Sequence, residues 1–198
     1  ADENILNSTR STDFITPKSK ISRNFRDAVL ELSRTLPFAQ GLVNSGRLSD
    51  PAFLTESALN TADSDAFDGD MLPGAVMEDA PLQGDAGEHW LLDLTGGRFS
   101  ALHYVEDAAA MDRATVTGLL SLASSAIPVE TIVISERGNA PGGLHSVRDT
   151  QGFFVKRYDA RAATTYLLRP DQHVAARWRA FDAARVKAAV NRATGNAR

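Results

Sequence analysis

YLLRPDQHVAARW, residues 166–178, reads as strand, tight turn, strand. Tyr166 and Leu168 share one strand face, Pro170 suits the second position of a turn, and Val174, Ala176 and Trp178 alternate on the return. The hairpin holds no Cys, no carboxylate pair and no glycine cradle. Its order therefore speaks for architecture rather than chemistry.

The sequence around it sets the fold class. FDAARVKAAVNRA (181–193) follows as an Ala-rich, basic terminal helix. Upstream, EHWLLDL (88–94) reads as a strand, Gly96-Gly97 as a hairpin turn, and RFSALHYV (98–105) as a second, more buried strand. Asp107 can cap a helix carrying Val116, Leu119, Leu120, Ala123 and Ile127 on one stripe, with Pro128 at its end. VETIVIS (129–135) is a continuous β-branched run of the central-strand kind. NAPGG (139–143) is a loop, and Asp149 can start a short helix through Phe153, Phe154 and Tyr158. The order β-β-α-β-α-β-β-α predicts an α/β fold, a mixed sheet with helices on its flanks.

Before this region the chain changes character. Thr16 can cap a helix, Pro17 suits its first position, and Ile21, Phe25, Ala28, Val29, Leu32 and Leu36 recur at helical spacing until Pro37 ends or redirects it. Such a stripe needs a partner to bury it. From Gly41 to Pro73 the chain turns irregular and then acidic. Between Leu48 and Gly97 there are eleven acids and no Lys or Arg, which reads as a solvated acidic linker. DSDAFDGD (63–70) misses the EF-hand order and has no matching glutamate, so a calcium site is rejected.

Composition narrows the function classes. At 43% hydrophobic and 23% charged residues the chain is globular rather than disordered. With no cysteine it has no disulfide, thiol catalyst or cysteine-ligated metal. A net charge of −4 argues against general nucleic-acid binding. No apolar run reaches membrane-span length, and no signal-peptide pattern opens the chain, so a cytoplasmic location is expected. Ala1 stands where an initiator Met would, and the chain is expected to be part of something longer.

The closing hairpin and helix resemble a thioredoxin-like domain, and DTQGFFVKRYDARAATTYLLRPDQHVAAR (149–177) is similar to the late part of peroxiredoxin-type chains. Two departures matter. EDAAAM (106–111) stands where such enzymes carry their nucleophile, and no Pro precedes TTYLL (164–168), where thioredoxins place a cis-proline. The scaffold is expected without its thiol chemistry.

A wider resemblance covers nearly the whole chain. STRSTDFITP (8–17), RNFRDAVLEL (23–32), NSGRLS (44–49), PGAVMEDAPL (73–82) and YLLRPDQHVAARW are similar, in this order, to the C-terminal third of FAD-dependent aromatic hydroxylases of the phenol hydroxylase and hydroxyphenylpropionate hydroxylase type. Gln172 departs from the Gly that relatives often have there, which suits the hairpin if its turn needs no positive φ. The resemblance implies that residues 1–50 are the terminal helices of a flavin and substrate domain. Residues 51–73 would be the acidic linker, and 74–198 a thioredoxin-like C-terminal domain. It further implies a parent monooxygenase that uses FAD, NAD(P)H and oxygen on an aromatic, phenol-type small molecule. The upstream flavin domain of the same chain would be this segment's partner, with a homodimer as a second assembly. The segment itself would be non-catalytic and would serve stability or dimerisation.

The FAD fingerprint of that family lies upstream, and LTGG (94–97) and APGG (140–143) are turns rather than G-x-G-x-x-G units. No catalytic, cofactor-binding or metal-binding residue is therefore assigned to this chain. The other reading is a free-standing, cysteine-free thioredoxin-like binding module that uses the hairpin edge or NAPGG. Of the four histidines, His103 falls in the buried strand and calls for a hydrogen-bond partner, while His89, His145 and His173 fall at edges or loops. Arg169, Asp171 and Arg177 form a cluster that either fixes the hairpin or meets a partner surface, and Tyr166 and Trp178 either fill the core or face an interface. Arg47 either caps a helix end or reaches a carboxylate of the flavin domain. Ser45 and Ser49 have no nearby base.

Overall fold

The computed structural model describes residues 2–43 and 52–196. The chain divides into two compact units, Ala1–Ala52 and Phe53–Arg198. Ser45, Arg47 and Ser49 of NSGRLS lie outside the described residues.

The first unit is helical: α1 spans Asp2–Ile15, α2 Lys20–Leu32 and α3 Pro37–Val43. The expected cap shifts by three residues. Ser19, not Thr16, opens α2, its hydroxyl accepting the Ser22 N–H at 3.0 Å. Thr16 instead donates its hydroxyl to the Thr12 carbonyl at 2.7 Å, finishing the helix before it. Pro37 begins α3 instead of ending α2, because a first-turn position needs no N–H. Val29 and Ala39 are buried, whereas Ile21 and Phe25 are 83% and 60% exposed.

In the second unit, β1 (Pro81–Gly84), β2 (Gly87–Trp90), β3 (Phe99–Asp107), β4 (Val129–Arg137), β5 (His145–Arg148), β6 (Thr165–Leu168) and β7 (Val174–Trp178) form a seven-stranded sheet in the order β2-β1-β5-β4-β3-β6-β7. The pairs β3–β4 and β4–β5 are parallel and the others antiparallel, so the sheet is mixed as expected. Helices α4 (Leu91–Leu94), α5 (Arg113–Leu122), α6 (Phe153–Arg157) and α7 (Ala183–Ala193) complete the unit.

Strand alternation divides the core. Leu102, Tyr104, Ile132, Ile134, Tyr166 and Leu168 pack with Phe154 and Tyr158 on one face. Ala101, Leu167, Ala176 and Trp178 pack with Leu122, Val186 and Val190 from α5 and α7 on the other. Tyr166 and Trp178 are thus core residues, 0% and 3% exposed. This two-sided burial is why RFSALHYV and VETIVIS read as near-continuous apolar runs.

Three local expectations are corrected. EHWLLDL is strand only as far as Trp90; Leu91 starts α4, and its second residue donates its N–H to Asp79 Oδ1 at 3.0 Å. Gly96-Gly97 does not close a hairpin, because β2 pairs with β1 and β3 with β4 and β6. Asp107 caps only a 3-10 turn, Ala108–Ala110, while Asp112 caps α5 through the Thr115 N–H at 2.9 Å.

The acidic stretch differs most from its solvated reading. Residues 53–77 form a strap along the outer edge of β7. Leu54 N–H donates to Gly74 O, Gly74 N–H to Val174 O and Val174 N–H to Ala75 O, each at 2.8 Å, and Thr61 N–H reaches Ala175 O at 2.9 Å. Asp63 takes Arg177 Nη2 at 2.7 Å, and Asp65 accepts the Arg179 N–H at 3.1 Å. The Phe67 ring lies against both guanidinium groups, 4.4 Å from Arg177 and 3.7 Å from Arg179. Asp63 is thus a charge partner of the sheet, and Asp65 an acceptor for its backbone.

The hairpin turn closes with Gln172 N–H donating to Arg169 O at 2.9 Å. Gln172 has φ +63°, so the turn does require the left-handed region, against the expectation. Its side-chain Nε2 donates to Leu92 O at 3.1 Å and to Thr95 Oγ1 at 3.2 Å, contacts a glycine lacks and which offset the backbone strain.

Candidate functional site

The carboxyl end of β3 runs into the 3-10 turn and then into the amino end of α5. A cleft of about 630 Å³ opens there, bordered by His103, Glu106, Asp107, Met111, Asp112 and Phe181 among others. This is the location of EDAAAM.

His103 forms the cleft's floor. It sits on the α5/α7 face of β3, where alternation calls for an apolar side chain, and is 1% exposed. Its Nδ1 lies 3.0 Å from Thr165 Oγ1, the partner that sequence called for. The Thr165 hydroxyl in turn donates to Ala163 O at 3.2 Å. The direction of the His103–Thr165 hydrogen bond follows the ring's tautomer. Phe181 meets the ring edge-on at 5.6 Å.

Burial lowers the His103 pKa to about 4, against the opposing pull of the Asp112 carboxylate. The ring is therefore neutral at pH 7. Between pH 4 and 6.5 the unfolded chain binds a proton that the folded chain refuses, so His103 opposes unfolding above this window and that contribution is lost as pH falls through it. The stability lost by pH 4 is about 3 kcal/mol. Urea unfolding from pH 7 to 4.5 should show this slope in the native chain and a shallower one in His103→Asn; equal slopes would contradict the neutral buried ring.

Around the floor the polar groups are mostly spoken for. Asp112 accepts from Thr115 N–H at 2.9 Å and from its hydroxyl at 2.6 Å. Asp107 accepts from Ala109 N–H and from Arg137 Nε at 3.1 Å. Glu106 is exposed. The hydroxyl that His103 touches, Thr165 Oγ1, belongs to a fully buried residue. The arrangement suits binding rather than nucleophilic chemistry.

The remaining sequence candidates disperse. Arg169 and Asp171 pair at 2.5 Å across the turn, while Arg177 leaves that cluster for Asp63. His173 Nδ1 stays within 3.2 Å of Asp171 O, His145 opens β5 at the surface, and His89 lies against Gly84. Among the described residues no group of three or more His, Asp or Glu could hold a metal ion, and no helix is long and apolar enough to cross a membrane. Neither glycine pair is placed as a strand-to-helix phosphate cradle. Gly96-Gly97 joins α4 to β3 and Gly142-Gly143 precedes β5, so neither carries a strand into a helix. The strand-to-helix joint at β3–α5 has no glycine, and its helix end is filled by the Asp112 carboxylate.

Sequence reading missed Asp112, Glu106, Thr165 and Phe181 as members of one site. Asp112 had a signal, a capping acid three residues before Thr115. Thr165 had none, because its meeting with His103 depends on the register of β3 against β6.

A family model described as the HcaD C-terminal domain matches residues 78–193. Among solved structures, the flavin-dependent monooxygenase PieE, in complex with FAD and substrate, is similar at 20% identity and a TM-score of 0.58, covering 93% of this chain and 31% of its own. Aklavinone-11 hydroxylase, with FAD and aklavinone, is similar at 16% identity and a TM-score of 0.55, covering 85% of this chain and 33% of its own. The thiol peroxidase from Chromobacterium violaceum is similar at 13% identity and a TM-score of 0.51, covering 62% and 88%. The fold of the sheet unit is therefore thioredoxin-like, and the chain spans about a third of the length of the monooxygenases it matches. No curated protein matches the sequence.

Proposed function

The chain belongs to the HcaD C-terminal domain family, and from that premise we propose that it is the C-terminal part of a cytoplasmic FAD-dependent monooxygenase that hydroxylates aromatic, phenol-type molecules with NAD(P)H and oxygen. Its own part is non-catalytic: residues 1–50 close the flavin domain, and the thioredoxin-like unit supports stability or dimerisation. The observation that carries this reading is the match of 93% of the chain to about a third of a flavin-dependent monooxygenase. The open apolar face of α2, with Ile21 and Phe25 in solvent, supports an upstream flavin domain as the covering partner.

Mixing the purified chain with FAD and NADPH tests the division of labour. Neither retained yellow flavin after gel filtration nor NADPH oxidation is expected. Stoichiometric flavin on this chain would overturn the assignment of the cofactor site to the upstream domain. Joined to an upstream segment with a strand–G-x-G-x-x-G–helix unit, the same chain is expected to give a yellow, NAD(P)H-oxidising protein.

A further inference from the structure

We propose that the cleft between α7 and strap residues 61–64 is a binding site for a small aromatic carboxylate, held by the guanidinium groups of Arg185 and Arg192 with its ring over Trp178 and Ala188. This goes beyond the flavoprotein reading and does not depend on it.

The cleft measures about 460 Å³, room for a one-ring ligand. Most arginines of the sheet unit are held by a carboxylate, as Arg137, Arg177 and Arg179 are. Arg185 and Arg192 are not. Among the described residues Arg185 has only the Ser64 hydroxyl, at 2.9 Å, and the Arg192 side chain has no partner. The two stand two turns apart on one side of α7 and border the same cleft, which no acid lines. The strap's own acids are committed elsewhere, Asp63 to the Arg177 guanidinium and Asp65 to the Arg179 N–H. In a chain of net charge −4, a cleft lined by cations alone draws anions to this one place.

The walls point to the rest of the ligand. Thr61 has a buried hydroxyl without a hydrogen-bond partner among the described residues, a donor still to be used. Trp178 is buried yet borders the cleft, and Ala188 leaves the helix flank beside it low. An apolar floor beneath two guanidinium groups suits a flat ring that carries a carboxylate. Phosphate is the poorer match, because the cleft runs past the carboxyl end of α7 to Asn196, where the helix carbonyls oppose a dianion.

The test is a titration of the whole chain with benzoate at fixed ionic strength, following the Trp178 indole N–H resonance. Trp90, on β2 at the opposite edge of the sheet, is the internal reference, and Trp90→Phe assigns the two signals. Benzoate should shift Trp178 saturably with a dissociation constant of about 1 mM and leave Trp90 unmoved. Benzyl alcohol, benzylammonium and inorganic phosphate should bind at least ~10-fold more weakly. Arg192→Gln, at an exposed position whose side chain bonds to nothing, leaves folding intact and should weaken benzoate about 5-fold. Arg113→Gln removes an equally unpaired arginine at the start of α5 and should leave the constant unchanged. Equal binding of benzoate and the alcohol, tighter binding of phosphate, no saturable Trp178 shift, or the same constant in both variants would each overturn the proposal.

Discussion

Gly74→Ala is expected to destabilise the sheet unit by about 4 kcal/mol, the sum of a left-handed backbone and a collision. Gly74 has φ +98°, and a Cβ there would lie 2.5 Å from both the carbonyl carbon and oxygen of Leu54 and 2.7 Å from Thr55 N. All three atoms are backbone, so no side chain can swing aside. Gly74 also carries the ladder on both sides, accepting from Leu54 and donating to Val174, and any shift breaks one bond or the other. Gly69 provides the control: its φ is +85°, but a Cβ there meets nothing within 4 Å, so Gly69→Ala should cost only about 1 kcal/mol. Urea unfolding read by fluorescence is a suitable measurement, because both tryptophans, Trp90 and Trp178, lie in this unit. Equal midpoints for the two variants would mean that the strap does not pass over Gly74.

Asp63→Ala should cost about 3 kcal/mol, chiefly through what it leaves behind. Arg177 has a side chain 5% exposed, and its Nη1 lacks a partner even with Asp63 in place. Asp63 takes the other two nitrogens, Nε at 3.1 Å and Nη2 at 2.7 Å. Removing the carboxylate leaves the guanidinium with only the face of Phe67 and the Tyr166 side chain beside it. The Asp63 side chain is 29% exposed, so solvent enters the gap and keeps the loss near the lower end for buried pairs. The double variant Asp63→Leu, Arg177→Met should recover most of the stability, since burying the pair is itself costly. A double variant as unstable as Asp63→Ala would show that the ion pair contributes more than its desolvation removes.

The elements legible in the sequence are those whose signal is local. RFSALHYV and VETIVIS had to be buried on both faces, and each became a central strand. YLLRPDQHVAARW had Pro170 to fix the turn, and it became the hairpin. PLQG was illegible as β1, because a four-residue strand with Pro and Gly at its ends has neither length nor propensity; its pairing with β2 and β5 makes it a strand. Leu91–Leu94 had the apolar content of a strand, yet the Leu92 N–H found the Asp79 carboxylate. The strap hid a signal of another kind. Asp63 meets the Arg177 guanidinium and Asp65 the Arg179 backbone N–H, a match visible only when two segments 114 positions apart are laid side by side. The candidate cleft was half legible: a buried histidine on a strand asks for a partner, but nothing in the sequence names Thr165 or brings Phe181 over the ring.

Gln172, at the crown of the hairpin, sets a limit on how this chain can be exchanged with its relatives. A glycine there relaxes the turn but frees it from α4, since Leu92 O and Thr95 Oγ1 lose their amide donor. Transplanting the hairpin alone between family members would therefore carry half of a two-part lock, and chimaeras should take residues 91–95 and 169–173 from the same parent.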